Sequence, residues 1–274
     1  MRKILLFPLL LTLANAFGQT LLEPGDATPP GEVFFTSFDG TRIHYTVLGS
    51  GQPVVLVHGF MGSSAAWKAS PLVDSLLMAG FQVVTLDTRG NGQSDHPNTP
   101  EAYENDAEAR DIIGLMAFLK AKRYDILGYS RGAILAARVL VRDKHVRKGV
   151  LGGMGADFTN PLWPRRIAFY EAFAGKGYRM PELRAVVERA KANGADTLAL
   201  AYQQRSQPST SPEELGKVRK PVLVIAGDRD EDNGKADDLA KMLPNATRKT
   251  IPGDHGGTSR TAAFAQAVVA FLKK

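Results

Sequence analysis

The sequence predicts an α/β domain in which helices cover both faces of a mostly parallel sheet. The first observation is a series of short, continuous apolar runs closed by Gly or Asp, which suits strands buried on both faces. These runs are residues 54–57, 83–86, 124–127, 150–151 and 222–225. The second observation is that helical patterns separate them, at 71–79, 106–122 and 131–141. This alternation predicts active residues on loops past the carboxyl ends of the strands.

The predicted sheet begins with an antiparallel hairpin. Residues 32–37 and 42–48 are short alternating runs on either side of a turn that contains Asp39 and Gly40. An Asp-Gly pair between two such runs is a strong hairpin signal. We therefore place the domain at residues 32–274.

The alternation of predicted strands and helices stops between residues 157 and 220. Helix starts recur there at Pro161, Pro181 and the capping box that begins at Ser211, with no strand among them. We predict a helical cap insert at about 157–220. Its aromatic residues are expected to form mainly the insert's own core, with the lining of a pocket as the alternative. They are Trp163, Phe169, Tyr170, Phe173, Tyr178 and Tyr202.

The first 16 residues predict a secretory signal peptide. Arg2 and Lys3 precede an apolar run of about half the roughly 20 residues that a membrane-spanning helix needs. Ala14 and Ala16 have the spacing that a signal peptidase accepts, so we expect cleavage after Ala16 and a secreted or periplasmic protein without a stable membrane anchor. Residues 17–31 are rich in Gly, Pro and acids, which is typical of a linker.

Composition narrows the possible functions. The chain has no cysteine, which excludes disulfides, a thiol nucleophile and cysteine-held metals. Its net charge of +6 comes from scattered basic residues with no nucleic-acid motif beside them, so no nucleic-acid partner is expected.

The sharpest motif is Gly-x-Ser-x-Gly at residues 128–132. It follows a predicted strand and precedes a predicted helix, which is the context that gives the motif meaning. A serine at so tight a turn has a strained backbone and an outward hydroxyl, and the helix after it points its positive end toward the turn. The motif predicts Ser130 as a nucleophile.

A serine nucleophile needs a base, and the base needs an acceptor that fixes its tautomer. Asp230 follows the strand at 222–226, and His255 follows the strand at 246–251 in a glycine-rich loop. The order serine, acid, histidine is the one expected for this architecture. Two neighbouring acids remain alternatives to Asp230 as the partner of the histidine. They are Asp228 and Asp232.

The loop after the strand at 54–57 predicts an oxyanion hole. The backbone amide of Phe60 is expected to act with that of Arg131, while His58 shapes the loop and takes no proton. The Arg131 side chain is expected to be solvated, with an acidic residue of the cap or a substrate carboxylate as alternative partners. The remaining histidines are expected to be structural or solvated. They are His44, His96 and His145.

Two short patterns resemble cofactor sites but are incomplete. The acids at 228, 230 and 232 resemble the start of a calcium loop, yet Asn233 and Leu239 stand where an EF-hand needs Gly and Glu. The segment 90–95 begins like a dinucleotide fingerprint and lacks its third glycine. We expect no metal and no nucleotide cofactor.

Several segments of this sequence occur in an order and at spacings that are found together in a known group of proteins. They are His58-Gly59, residues 87–94, residues 128–132, Gly227-Asp228-Arg229-Asp230 and the late His255. Together they resemble the α/β-hydrolase superfamily, in its esterase and lipase branch. The resemblance implies an eight-stranded mostly parallel sheet, a cap inserted after the sixth strand, and a cofactor-free triad. It favours Asp230, because the family's acid is usually the fourth residue of Gly-x-x-Asp. Some members use an acid after the sixth strand instead, which implies Asp157 as a more distant alternative.

The expected function is therefore a serine hydrolase that cleaves a carboxylic ester, or a related acyl bond, of a small molecule through an acyl-enzyme. The same triad also serves lactonases, thioesterases, amidases and carbon–carbon bond hydrolases, so these remain alternatives. Serine at the motif argues against the dehalogenase and epoxide hydrolase relatives, which use aspartate there. A different alternative is a non-catalytic ligand-binding protein on a hydrolase scaffold.

Overall fold

The computed structural model describes residues 33–274. The predicted signal peptide and linker lie outside the described residues. Eight strands of the described chain form one sheet in the order β1-β2-β4-β3-β5-β6-β7-β8. They are β1 Phe34–Thr36, β2 Arg42–Leu48, β3 Gln52–Val57, β4 Phe81–Leu86, β5 Tyr124–Tyr129, β6 Val146–Gly152, β7 Val222–Gly227 and β8 Ala246–Ile251. The prediction of an eight-stranded, mostly parallel sheet is confirmed.

Only the first strands are antiparallel among the described residues. β1 pairs with β2, and β2 pairs with β4, in antiparallel register, whereas every later pair is parallel. The turn between β1 and β2 uses Gly40 at φ 88°, a conformation that favours glycine, and Asp39 Oδ1 accepts the Thr41 amide at 3.1 Å. The hairpin that the Asp-Gly pair predicts is therefore present.

Helices pack on both faces of this sheet. One face is covered by an apolar cluster that includes residues of the helices at 107–118 and 131–142, and the other face by a cluster that includes residues of the helices at 72–78 and 262–273. The helices outside the cap are α1 Leu72–Met78, α2 Ala107–Phe118, α3 Arg131–Arg142, α8 Ala236–Met242 and α9 Ala262–Lys273. Helix α2 ends earlier than the pattern at 106–122 predicts, because Lys120 has φ 55° and the Ala121 amide turns back to Met116 O. None of the helices within 33–274 has the length and apolar character needed to cross a bilayer.

Four helices lie between β6 and β7, in the segment predicted as a cap. They are α4 Pro164–Phe173, α5 Leu183–Ala192, α6 Thr197–Arg205 and α7 Pro212–Gly216. The predicted capping box is present, since Ser211 Oγ accepts the Glu214 amide at 3.2 Å and Glu214 Oε2 accepts the Ser211 amide at 2.8 Å. Helix α4 begins three residues after Pro161, because Pro161 belongs to a preceding turn.

The cap aromatics divide between two roles. Phe173 packs in an apolar cluster formed mainly by the cap helices, whereas Trp163 belongs to the main core beneath them. Trp163 and Phe169 also line a cavity next to Ser130. The expectation that these residues serve mainly as the core of the insert therefore holds for Phe173 and is incomplete for Trp163.

Candidate active site

Ser130 lies between the last residue of β5 and the first residue of α3. Its backbone has φ 54° and ψ −125°, an uncommon conformation for a residue with a side chain. The turn is tight because α3 passes against β3: a Cβ on Gly132 would lie 2.2 Å from Val57 O. The Ser130 amide donates to Gly152 O at 2.8 Å, which fixes the turn against β6. Close packing thus maintains the strained serine.

His255 connects Ser130 to a carboxylate. Its Nε2 lies 2.9 Å from Ser130 Oγ, and its Nδ1 lies 2.9 Å and 3.1 Å from the two carboxylate oxygens of Asp230. The Asp230 side chain is 3% exposed, whereas that of His255 is 24% exposed. A buried carboxylate that accepts the Nδ1 proton leaves the Nε2 lone pair facing the serine hydroxyl. This arrangement can remove a proton from Ser130.

The alternative acids have other contacts. Asp228 is exposed, and its Oδ1 accepts the Gly253 amide at 2.9 Å. Asp232 lies 3.9 Å from Arg165. Asp157 packs against the backbone of Gly234. Of the four candidate acids, the structure brings only Asp230 to His255.

Two side chains that the sequence interpretation did not identify hold the histidine loop. Tyr129 donates its hydroxyl to His255 O at 2.7 Å, and its ring lies 5.6 Å from the imidazole. Burial raises the pKa of Tyr129, so the hydroxyl remains a donor. Asp254 Oδ1 accepts the Gly257 amide at 2.7 Å. The position of Tyr129 next to Ser130 was visible in the sequence, but its contact with a loop 126 residues away was not.

The loop after β3 passes directly beside Ser130. A Cβ on Gly59 would lie 3.2 Å from Ser130 Cβ. The next residue, Phe60, lines the same cavity as Ser130 and Arg131. The Phe60 amide has no acceptor among the described residues, and the Arg131 amide begins α3, where helix amides lack an intrahelical acceptor. Both amides are thus free to donate to a ligand oxygen.

His58 has the environment of a neutral structural histidine. Its Nδ1–H donates to Gly59 O at 2.8 Å, and its Nε2 accepts the Thr88 amide at 3.1 Å. Burial lowers the pKa of His58, which favours the neutral ring. The other three histidines each lie near an aspartate outside this cavity: His44 near Asp87, His96 near Asp196 and His145 near Asp143.

The expectation that the Arg131 side chain is solvated was wrong. The residue is 5% exposed, its guanidinium pairs with both carboxylate oxygens of Glu108, and it donates to Gln203 O at 2.9 Å. The reason is that the side chain lies between Glu108 of α2 and the backbone of Gln203 in α6. Glu108 comes from α2 rather than from the cap. Glu108 precedes Ile112 by four residues and therefore lies on the same, apolar face of the helix. An acid on an apolar helix face was the sequence signal from which a buried partner for Arg131 could have been predicted.

The cavity at Ser130 has a volume of about 70 Å³. Its apolar wall consists of Phe60, Ile134, Met154, Trp163 and Phe169. Within residues 33–274, no group of three His, Asp or Glu side chains is arranged to hold a metal ion. The cavity is therefore suited to a small, partly apolar molecule beside a serine hydroxyl.

Comparisons with known proteins agree on one family. A model of the alpha/beta hydrolase family matches residues 54–267. The non-heme chloroperoxidase of Streptomyces lividans is 29% identical over 257 residues, which cover 81% of this chain and 92% of that protein. The 2-hydroxy-6-oxononadienedioate/2-hydroxy-6-oxononatrienedioate hydrolase 2 of Pseudomonas putida is 36% identical over 126 residues, 45% of this chain and 44% of that one. A solved hydrolase from Pseudomonas aeruginosa has a TM-score of 0.73 at 25% identity, covering 89% of this chain and 100% of its own.

Proposed function

The chain belongs to the alpha/beta hydrolase family, and from that premise we propose that it is a serine hydrolase acting on a carboxylic ester, or a related acyl bond, of a small molecule. The observation that carries the proposal is the line of hydrogen bonds from Ser130 through His255 to Asp230, at 2.9 Å for each step. In this proposal the three residues are the nucleophile, the general base and the residue that orients the base.

The first half of the reaction forms an acyl-enzyme. Ser130 Oγ attacks the carbonyl carbon while His255 Nε2 takes the hydroxyl proton, and Asp230 stabilises the imidazolium that forms. The amides of Phe60 and Arg131 donate to the carbonyl oxygen as it becomes negative, an interaction for which one donor contributes about 3 kcal/mol. The imidazolium then protonates the leaving oxygen, and the alcohol departs.

The second half returns the enzyme to its starting state. Water attacks the acyl carbon while His255 takes a proton from it. The imidazolium then returns that proton to Ser130 Oγ as the bond to the acyl carbon breaks and the carboxylic acid leaves. The His255 ring, which is partly exposed to solvent, is accessible to that water. The cycle consumes one ester and one water, and it yields one acid and one alcohol.

A fluorophosphonate probe tests the nucleophile, because it forms a covalent bond with an activated serine. We expect stoichiometric labelling of the protein and no labelling of Ser130→Ala, measured by intact mass. Ser75→Ala is the matched control, since Ser75 lies on α1 and no side-chain hydrogen bond involves it among the described residues. Equal labelling of Ser130→Ala, or none of the unmodified protein, would contradict the proposal.

A panel of ethyl esters, lactones and thioesters then separates the acyl classes by kcat/KM. The ligand-binding alternative predicts binding without turnover of any class. The carbon–carbon bond alternative is tested by adding a vinylogous diketone acid to the panel. The relative from Pseudomonas putida is the reason to include it, although the match covers only 45% of this chain.

The chloroperoxidase relative suggests a second candidate reaction. Hydrogen peroxide attacks the acyl-enzyme in place of water and releases a peracid, which oxidises a halide. Similarity to that relative over 81% of the chain favours this candidate. Bromination of monochlorodimedone that needs peroxide, bromide, a carboxylic acid and Ser130 would support it. Bromination that persists in Ser130→Ala would contradict it.

A further inference from the structure

The polar part of the cavity wall at Ser130 carries an uneven charge. Three arginines line the cavity, at positions 131, 165 and 166, and no Asp or Glu lines it among the described residues. The neutral polar residues in the wall are Gln204, Gln207 and Asn233. An apolar cavity with a one-sided charge favours ligands of the opposite charge.

The three arginines differ in how far their charges are neutralised. The Arg131 guanidinium forms a buried pair with both oxygens of Glu108. Arg165 lies 3.9 Å from Asp232, and both side chains are partly exposed, so that solvent screens this pair. Each of these two arginines therefore has a carboxylate beside it, and the Arg165 pair is the weaker of the two.

Arg166 has no carboxylate partner in the described chain. Its guanidinium donates to Gln204 O at 3.0 Å, to Arg205 O at 2.9 Å and to Pro161 O, and all three acceptors are uncharged carbonyl oxygens. Burial lowers the pKa of Arg166, and no nearby acid opposes this shift. An arginine remains cationic under such conditions. It is a half-buried positive charge in the wall, with its guanidinium held by three carbonyl oxygens.

The hydrogen bonds of Arg166 also hold the charge in place. Arg166 lies on α4, and two of its acceptors lie at the end of α6, so the side chain joins two cap helices. A charge held in a partly buried wall interacts more strongly with a ligand than one that moves freely in water.

We propose that this cavity selects substrates that carry a carboxylate in addition to the scissile acyl bond, with Arg166 as the specificity-determining residue. The proposal rests on the proposed acyl-transfer function of Ser130. The substrate class is a short monoanionic ester, such as the half-ester of a dicarboxylic acid, whose ionised end lies toward α4. The cavity of about 70 Å³ favours a short chain between the two ends.

The test compares monoethyl succinate with its neutral isostere ethyl succinamate, measured as ethanol release. The two esters have nearly the same shape and differ in one charge. We expect kcat/KM to be at least about tenfold higher for the anionic ester, which corresponds to about 1.4 kcal/mol of transition-state binding. The ratio is expected to fall as sodium chloride rises, because salt screens the charge.

Two variants remove the preference in different ways. Arg166→Gln deletes the cation, and Gln207→Glu adds a carboxylate to the same wall. Both are expected to bring the ratio of kcat/KM values to within about threefold of unity. Arg189→Gln is the control, since it removes an exposed arginine from cap helix α5 outside the cavity and should preserve the ratio. If circular dichroism shows that Arg166→Gln does not fold, the ratio measured for Gln207→Glu decides whether the inference holds.

A binding measurement separates this inference from the proposed function. Calorimetric titration of Ser130→Ala with the two esters requires no turnover, and tighter binding of monoethyl succinate supports the inference even where no ester is cleaved. An unmodified enzyme that cleaves the neutral ester equally well or better overturns it. A preference that persists in the correctly folded variants also overturns it, as does equal binding of the two esters by inactive protein.

Discussion

At the scale of single residues, neighbouring acids in one loop have different roles. Asp230 and Asp228 are two residues apart, yet the first accepts the His255 Nδ1 proton and the second accepts the Gly253 amide. The Asp230 side chain is almost fully buried, whereas Asp228 is exposed. A buried acceptor on the imidazole both orients the ring and stabilises its protonated form.

We therefore predict that Asp230→Asn lowers kcat by roughly 10³- to 10⁴-fold, because an amide stabilises the wrong imidazole tautomer. The measurement is steady-state hydrolysis of the best ester from the panel. Asp228→Asn is the matched control, and we expect it to retain kcat to within about tenfold. A larger loss in Asp228→Asn than in Asp230→Asn would move the orienting role to Asp228.

At the scale of secondary-structure elements, one buried arginine joins the helix that follows Ser130 to two other helices. Arg131 on α3 pairs with Glu108 on α2 and donates to Gln203 O on α6. The Gln203 side chain continues the connection by donating to Arg89 O at 2.7 Å. Helix α6 is thus linked both to the first residue of α3, next to Ser130, and to Arg89.

Removing one partner of a buried pair leaves the other charge uncompensated. We predict that Glu108→Ala lowers the free energy of unfolding by about 3 kcal/mol, measured by urea denaturation. Glu213→Ala is the comparison, since Glu213 forms an exposed pair with Lys217, and it should leave the urea midpoint unchanged. Equal midpoints for the two variants would show that the Arg131 pair contributes nothing to stability.

At the scale of the whole molecule, buried histidine links stability to pH. Burial lowers the pKa of His58 from its ordinary 6.5, and both ring nitrogens already have suitable partners in the neutral state. Well above pH 6.5 the folded and unfolded states both hold His58 in the neutral form and bind equal numbers of protons there. As the pH falls below 6.5, the unfolded chain takes up a proton first, so this residue destabilises the fold.

We predict that the free energy of unfolding attributable to His58 falls from pH 7 to pH 5.5, with a slope of at most about 1.4 kcal/mol per pH unit. Asp111 acts in the opposite direction, because burial raises its pKa to about 6 and the folded state binds its proton first. The measurement is therefore the free energy of unfolding of the unmodified protein minus that of His58→Gln, determined at each pH. Ser75→Ala is the control, because it removes no titratable group and should retain the original pH dependence. An unchanged pH dependence in His58→Gln would refute the assignment.

The features at these three scales also differ in how well they can be predicted from the sequence. The sheet, the flanking helices and the opening hairpin were predictable because apolar runs and turn residues act over a few positions. The helix boundaries were less predictable, as α2 shows, since its end depends on the backbone conformation of Lys120. The Ser130 turn was predictable because its strand, serine and helix are contiguous.

What the sequence determined by itself is the order of strands and helices, the tight turn at Ser130, and the set of acids and histidines that follow strand ends. Only the tertiary structure distinguished Asp230 from its neighbours, buried Arg131 against Glu108, and left Arg166 without a carboxylate. The physical reason is distance along the chain. Arg131 is 72 residues from Gln203, and Ser130 is 125 residues from His255, so these contacts depend on how the cap and loops pack rather than on local pattern.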